Sequence, residues 1–125
     1  MKYAYLEFSE TENPRVSDIL ITLKDAHGGG SSNVGKLPSG KATKMTFARY
    51  GCTKRTFLHE FGHALGFEHE HQRPGRESSG IQFCDKPGSK LWTHNRFNLV
   101  DPWTLAAASL RLDKDSIMMQ VLLFL

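Results

Sequence analysis

The sequence predicts an α+β fold: a small mixed β-sheet packed on one helix, followed by a loop-rich C-terminal part with a second helix. Short apolar runs rich in Ile, Leu, Phe and Tyr, each bounded by turn residues, occupy the first fifty positions and are typical of strands. Residues 56–65 carry apolar side chains at helical spacing. Residues 68–98 are polar, with scattered Gly and Pro, and therefore predict mostly loop.

The predicted strands cover residues 3–8, 17–23 and 45–50. The run ILITL in the second has apolar residues on both faces, which is typical of an interior strand. The third, MTFARY, is short and partly polar, so it is expected at the edge of the sheet. The Gly- and Ser-rich residues 27–40 are expected to form a loop or an irregular hairpin.

The clearest helix is predicted over residues 56–65, where one apolar stripe would face the core. The stripe consists of Phe57, Phe61, Ala64 and Leu65. Gly66 fits the position just past a helix end, where a left-handed backbone conformation is common. The run DPWTLAAASL predicts the second helix, with Asp101 as N-cap and Pro102 in the first turn.

Length and composition limit the classes of function. A chain of 125 residues suits one domain, and 39% hydrophobic with 23% charged residues describes an ordinary globular protein. The formal charge of +3 is mild and the basic residues are spread out, which argues against a nucleic-acid partner. No run reaches the roughly 20 apolar residues that span a bilayer, and the opening MKYAYLEFSE lacks the apolar region of a signal peptide.

The two cysteines, Cys52 and Cys84, form no C-x-x-C motif. They are compatible with one disulfide in an oxidising compartment or with two free thiols. The disulfide is the favoured interpretation, because a small extracellular domain gains stability from such a cross-link.

Residues 59–69 read HEFGHALGFEH and predict a metal site. On a helix, His59 and His63 lie on one face, opposite the apolar stripe, where both rings can reach one zinc at roughly 2.0–2.1 Å. Gly66 can turn the chain so that His69 returns to the same metal. Three histidine ligands leave one position open for water, which is the pattern of a catalytic zinc.

Glu60 follows His59 and is offset around the helix, where its carboxylate can reach that water without ligating the metal. Zinc lowers the pKa of the water and Glu60 takes its proton, giving a nucleophile for a peptide carbonyl. The alternative is a solvated polar helix without metal. A bare H-E-x-x-H leaves that alternative open, whereas H-E-x-x-H-x-x-G-x-x-H fixes the residues at five positions and favours a single catalytic Zn²⁺.

The stretch HEFGHALGFEHEHQRP resembles the zinc helix of the metzincins and, within them, of the astacin-type metallopeptidases. Downstream, DSIM resembles the family's Met-turn, with Met118 expected beneath the zinc site. The resemblance implies a secreted zinc-dependent metalloendopeptidase that hydrolyses peptide bonds in proteins. It also implies protein or peptide substrates, a monomer, and neither nucleic-acid nor membrane partners.

The same resemblance implies a zincin-like catalytic domain over residues 1–125, expected to be incomplete relative to the family. Its upper sheet-and-helix part would cover about residues 1–66 and its lower part about residues 67–125. The strand MTFARY is similar to the family's cleft-lining edge strand, which is expected to bind an extended substrate by strand addition. Gln120 stands where members usually carry a tyrosine, so a non-catalytic zinc-binding homologue or fragment is the alternative.

Three smaller expectations follow from the family pattern. The glutamate after the third histidine engages the processed N-terminus in astacins, but a surface salt bridge is the favoured expectation for Glu70. His71 is expected to support a ligand from behind or to lie on the surface. Cys52 matches a family cysteine, which leaves Cys84 as its candidate partner.

Overall fold

The computed structural model describes residues 6–38, 40–73 and 115–119. They form three strands, one α-helix and one short 3₁₀ helix. The elements are β1 (Ile19–His27), β2 (Gly30–Ser32), β3 (Thr43–Tyr50), α1 (Lys54–Ala64) and the 3₁₀ helix (Glu70–Gln72). β1 pairs parallel and β2 antiparallel with β3, so the sheet is mixed, in the order β1-β3-β2. The predicted α+β class, a small mixed sheet packed on a helix, is confirmed.

The predicted position of the third strand is wrong, because β3 is the central strand of the described sheet. It pairs with β1 on one side and with β2 on the other. Its mixed polarity arises from the pleat: Thr43, Met45 and Phe47 are buried on one face, while Lys44 and Thr46, which alternate with them, are less covered. β1 instead flanks the described sheet, and its Ile21 and Leu23 remain 49% and 60% exposed.

The first predicted strand is wrong in its described part. Residues 6–8 have no regular secondary structure, and residues 3–5 lie outside the described ranges. The segment contacts the helix through a side chain: the ring of Phe8 packs edge-on against Phe61, with centroids 5.2 Å apart. Aromatic packing therefore holds this segment where a strand ladder was expected.

The core lies between β3 and α1. Met45, Phe47 and Ala64 are buried there, with Ile19 and Phe61 packed around them. Of the predicted apolar stripe, Phe61 and Ala64 join this core, and Phe57 stacks on Phe47 with ring centroids 5.2 Å apart. Leu65 does not join it and remains 40% exposed. The polar side of α1 is covered as well, since Glu60 and His63 are only 8% and 6% exposed.

The helix begins two residues before its predicted start. The hydroxyl oxygen of Thr53 accepts a hydrogen bond from the backbone N–H of Thr56 at 3.2 Å, so Thr53 is the N-cap and α1 begins at Lys54. At the other end, the backbone N–H of Gly35, in the loop after β2, donates to the carbonyl of His63 at 2.8 Å. The loop predicted over residues 27–40 therefore contains β2 and also covers the C-terminus of the helix.

Several predictions fall outside the described residues: the second helix, most of the loop before it, Cys84 and Gln120. In the described structure Cys52 is exposed with a free thiol, so the favoured disulfide is not formed at this residue. In the described ranges, no helix is long and apolar enough to cross a membrane.

Candidate metal centre

Three histidine side chains meet beside the C-terminal half of α1. His59 and His63 lie one turn apart on the helix, and His69 returns to them from the segment that follows it. The Nε2 atom of His69 lies 3.1 Å from Nε2 of His59 and 3.1 Å from Nε2 of His63. One ring nitrogen of each residue lies within 4.8 Å of the other two. The structure thus brings together all three histidines that the sequence singled out.

In each of the three rings, Nε2 faces the cluster and Nδ1 faces away from it. The hydrogen bond made by Nδ1 determines the tautomer of the ring. Each Nδ1 is hydrogen-bonded to an oxygen that can only accept. These oxygens are the carbonyl of Ile117 for His59 (2.8 Å), the carbonyl of Phe67 for His63 (2.7 Å) and Oε1 of Gln72 for His69 (2.9 Å). A neutral imidazole carries one N–H; in the neutral form of each ring, these oxygen acceptors place that proton on Nδ1 and leave a lone pair on Nε2.

Lone pairs that converge at these separations repel one another unless a cation lies between them. Nitrogens placed tetrahedrally around a zinc, at roughly 2.0–2.1 Å from it, lie about 3.4 Å from each other. The two separations of 3.1 Å from His69 are close to that value. The tautomers and the spacing both fit a single zinc ion with a His₃ ligand set.

The environment also keeps His69 in the form that binds metals. Burial lowers the pKa of His69 from 6.5 to about 4, and the nearby histidines add to the lowering, against the opposing effect of the Gln72 hydrogen bond. His69 is therefore neutral at physiological pH. Ligation requires neutral imidazole, so no proton has to be displaced from this ring before a metal binds.

The turn after α1 follows from glycine at position 66. Gly66 has φ +99°, which disfavours side chains other than hydrogen, and its N–H donates to the His63 carbonyl at 2.8 Å. The N–H of Phe67 donates to the Gly62 carbonyl at 3.0 Å, which completes a Schellman motif. This turn directs the Phe67 carbonyl at His63 and sends the chain back toward the cluster, as the sequence predicted for Gly66.

Residues 115–119, which include the predicted Met-turn DSIM, pack against α1, the helix that carries His59 and His63. Met118 is 5% exposed, and a methyl group at Gly62 would overlap its sulfur. The Met118 carbonyl accepts from the N–H of Glu70 at 3.1 Å, and the neighbouring Ile117 carbonyl accepts from His59. The turn therefore contacts the helix that carries two of the histidines and the segment that carries the third.

Glu60 is 8% exposed on the same stretch of helix. Beside it runs β2: a Cβ at Gly30 would lie 3.0 Å from Cγ of Glu60 and 2.6 Å from the ring of Phe47. The missing side chain at Gly30 leaves room for Glu60 between the helix and the strand. Glu60 thus follows His59 along α1, with its side chain between the helix and β2.

Glu70 and His71 differ in part from their expected environments. Glu70 does form a salt bridge, with Arg73 at 2.8 Å, but the two side chains are only 15% and 13% exposed, so the bridge is largely buried. His71 is 3% exposed, which makes a surface position wrong. Its ring stacks on His69, with centroids 5.1 Å apart at an interplanar angle of 27°.

Sequence reasoning missed the groups that hold the histidine rings. Two of them, at Phe67 and Ile117, are main-chain carbonyls, which leave no trace in residue identity. The third, Gln72, lies three residues after His69, the spacing of one 3₁₀ turn, and that spacing was the signal that could have found it. Gly62 was missed too, although a glycine inside a helix often marks close packing.

An α+β domain whose ligand helix carries H-E-x-x-H-x-x-G-x-x-H, closed by a buried methionine turn, defines the metzincin class of metallopeptidases. The family model described as Astacin, a peptidase family, matches residues 2–121. The chain therefore belongs to the astacin family, which consists of zinc metallopeptidases.

Two relatives carry names that agree with this membership. The chain is 32% identical over 111 residues to "Astacin-like metalloprotease toxin 4" of Loxosceles laeta, covering 81% of this chain and 88% of that protein. It is 42% identical over 72 residues to "Astacin-like metalloprotease toxin 1" of Loxosceles intermedia, covering 51% of this chain. The second match spans 27% of the toxin's own length.

Proposed function

We propose that this protein is a zinc-dependent metalloendopeptidase in which His59, His63 and His69 hold one zinc ion. The observation that carries the proposal is the convergence of three Nε2 atoms, two of them 3.1 Å from the third, with every Nδ1 hydrogen-bonded to an oxygen acceptor. In a solvated helix without a metal, this arrangement would be unfavourable, because it brings nitrogen lone pairs together. In a His₃ metal site, the same lone pairs bind the cation.

The chain's own residues supply the remaining chemistry. A zinc ion held by His59, His63 and His69 would supply a Lewis acid, which would lower the pKa of a water molecule toward about 7 and polarise the substrate carbonyl. Glu60 is the general base: its carboxylate accepts a proton from the attacking water and delivers it to the leaving amine. Burial of Glu60 excludes bulk water from that proton transfer. The absence of a side chain at Gly30 leaves room for the side chain of Glu60.

Met118 and Gly66 act as structural residues of the site. Met118 supports the ligand helix at Gly62, and Gly66 provides the turn that returns His69. We propose the division into an upper part, about residues 1–66, and a lower part, about residues 67–125, with the site between them. Ligands and their supporting groups come from both sides of that boundary.

We place the substrate among proteins or peptides, as membership of a peptidase family implies, and the site of action outside the cell. The relatives' names describe metalloprotease toxins, which act outside the cells that make them. We propose a single chain as the acting unit, without a nucleic-acid or membrane partner.

The second candidate is a zinc-binding homologue without turnover. It is favoured by one observation, that Gln120 stands where the family usually carries a tyrosine. Glutamine is shorter and lacks a phenol, so it is a poorer hydrogen-bond donor to a developing oxyanion. Zinc binding itself depends on none of these atoms.

One experiment separates the two candidates. Zinc content and hydrolysis of a quenched protein substrate are measured for the wild type, for Glu60→Ala and for Glu68→Ala, a nearby glutamate outside the histidine cluster. We expect about one zinc per chain in all three proteins and hydrolysis lost only in Glu60→Ala. Zinc without hydrolysis in the wild type supports the second candidate, and a wild type that binds no zinc refutes both.

A further inference from the structure

The three histidines are held by unequal partners. His59 and His63 sit on α1 and donate to main-chain carbonyls, so both their positions and their acceptors are fixed by backbone. His69 lies outside the helix, and its acceptor is a side-chain oxygen, Oε1 of Gln72, at 2.9 Å. The orientation of this one ring therefore depends on the identity of a single side chain.

We propose that Gln72 is a positioning residue that fixes the tautomer and the orientation of His69 for zinc. This inference rests on the proposed function, since it concerns the third ligand of the same site. A neutral imidazole can place its proton on either nitrogen. With Gln72 accepting from Nδ1, the proton stays there and the Nε2 lone pair faces the other two histidines.

The backbone around Gln72 is built to hold that contact. The backbone N–H of Gln72 donates to the carbonyl of His69 at 3.0 Å. This hydrogen bond closes a turn that places the side-chain amide of Gln72 beside the His69 ring. The N–H of Glu70 donates to the Met118 carbonyl at 3.1 Å, which fastens the same turn to residues 115–119.

Stacking cannot replace this hydrogen bond. The ring of His71 covers one face of His69 at a centroid distance of 5.1 Å, which limits tilting of the ring. A stacked ring does not, however, fix which edge of His69 faces the cluster, because a 180° flip about Cβ–Cγ preserves the stack while it exchanges Nδ1 with Cδ2 and Nε2 with Cε1. Within the described part of the chain, the Gln72 hydrogen bond to Nδ1 is the contact that keeps Nε2 of His69 turned toward the other two histidines.

The test compares two substitutions at this position. Gln72→Leu removes the acceptor, whereas Gln72→Glu keeps an oxygen acceptor at the same distance from the backbone. Asn33→Leu is the control, because it also replaces an amide that accepts a hydrogen bond, here from the backbone N–H of Lys44, away from the cluster. Zinc affinity is measured on the metal-free full chain by competition with a chromophoric chelator, and urea unfolding of the same samples reports on folding.

We expect Gln72→Leu to weaken zinc binding by about 10- to 100-fold, the usual effect of removing a hydrogen-bond partner from a metal-ligating histidine. Gln72→Glu should bind zinc at least as tightly as the wild type, and Asn33→Leu should not differ from it. In ¹⁵N-detected spectra of the zinc-loaded proteins, the His69 Nδ1–H signal should persist in the wild type and in Gln72→Glu.

Other results overturn the inference in distinguishable ways. Unchanged affinity in Gln72→Leu, in a chain that folds, removes the role of Gln72 and leaves the zinc site intact. Equal weakening in Gln72→Leu and Gln72→Glu shows that packing, and not acceptance of a hydrogen bond, is what matters. A wild type that binds no zinc overturns the proposed function, and this inference with it.

Discussion

A substitution at Gly62 tests the packing of the Met-turn against the ligand helix. Gly62 lies within α1 with ordinary helical geometry, between the two helical histidines. In an open helix, alanine would stabilise this position by about 1 kcal/mol relative to glycine. Here the added methyl group would overlap the sulfur of Met118 and would lie 3.4 Å from its Cε and 3.7 Å from its Cγ.

The overlap decides the sign of the effect. Met118 is 5% exposed, so its side chain has little room to move away. Overpacking of a buried site costs about 1–3 kcal/mol, which exceeds or offsets the gain of about 1 kcal/mol in helix propensity. We therefore expect Gly62→Ala to lower the free energy of unfolding by up to about 2 kcal/mol.

The same substitution should also lower zinc affinity. A displaced Met118 would move the adjacent Ile117 carbonyl away from His59, whose Nδ1 bonds to that carbonyl.

A double-mutant cycle isolates the contact. Urea unfolding is measured for the wild type, Gly62→Ala, Met118→Ala and the double variant, all metal-free. Met118→Ala alone should cost about 2–5 kcal/mol. In that background the overlap is gone, and Gly62→Ala should then stabilise by about 1 kcal/mol. If Gly62→Ala stabilises the protein equally in both backgrounds, the methionine does not lie against the helix and the reasoning is refuted.

Two further substitutions probe the supports of the site. Thr53→Ala removes the N-cap of α1 and should lower the free energy of unfolding by about 1 kcal/mol, while Thr53→Ser should leave it unchanged; an equal loss in both would show that the hydroxyl does not cap the helix. Arg73→Met removes a partner of the largely buried Glu70, and the loss of a hydrogen bond to a charged group should cost about 1.5–3 kcal/mol in urea unfolding. That cost should shrink when Glu70 is changed to Gln, and a cost that does not shrink would place the effect elsewhere.

The sequence predicted the histidine cluster because the motif is local. His59, His63 and Gly66 follow helical spacing and helix-end chemistry, which involve backbone within a few residues. The turn at Gly66 has the expected positive φ, and the helix differs from its predicted bounds only at the ends. Boundary errors of this size arise because a cap such as Thr53 extends the hydrogen-bonded turn beyond the apolar pattern.

The order of the strands could not be predicted in the same way. A partly polar strand is compatible with an edge position and equally with a central position that has one open face. β3 takes the second option because α1 covers its Met45–Phe47 face. An apolar run such as ILITL likewise does not require an interior position, and Leu23 of β1 is 60% exposed in the described structure. Strand order depends on pairing between distant segments, which single-strand patterns do not encode.

The supporting groups of the metal site show why a complete motif is necessary but not sufficient. Residues 59–69 provide every predicted ligand, yet His59 presents Nε2 inward only because the Ile117 carbonyl, 58 residues away in sequence, accepts from its Nδ1. We therefore expect the proposed metal site to form only when residues 115–119 have docked on α1. Zinc affinity then reports on this long-range contact as well as on the ligands, and metal binding is coupled to folding of the lower part of the domain. Changes at Gly62 or Ile117 thus act on the metal without touching a ligand.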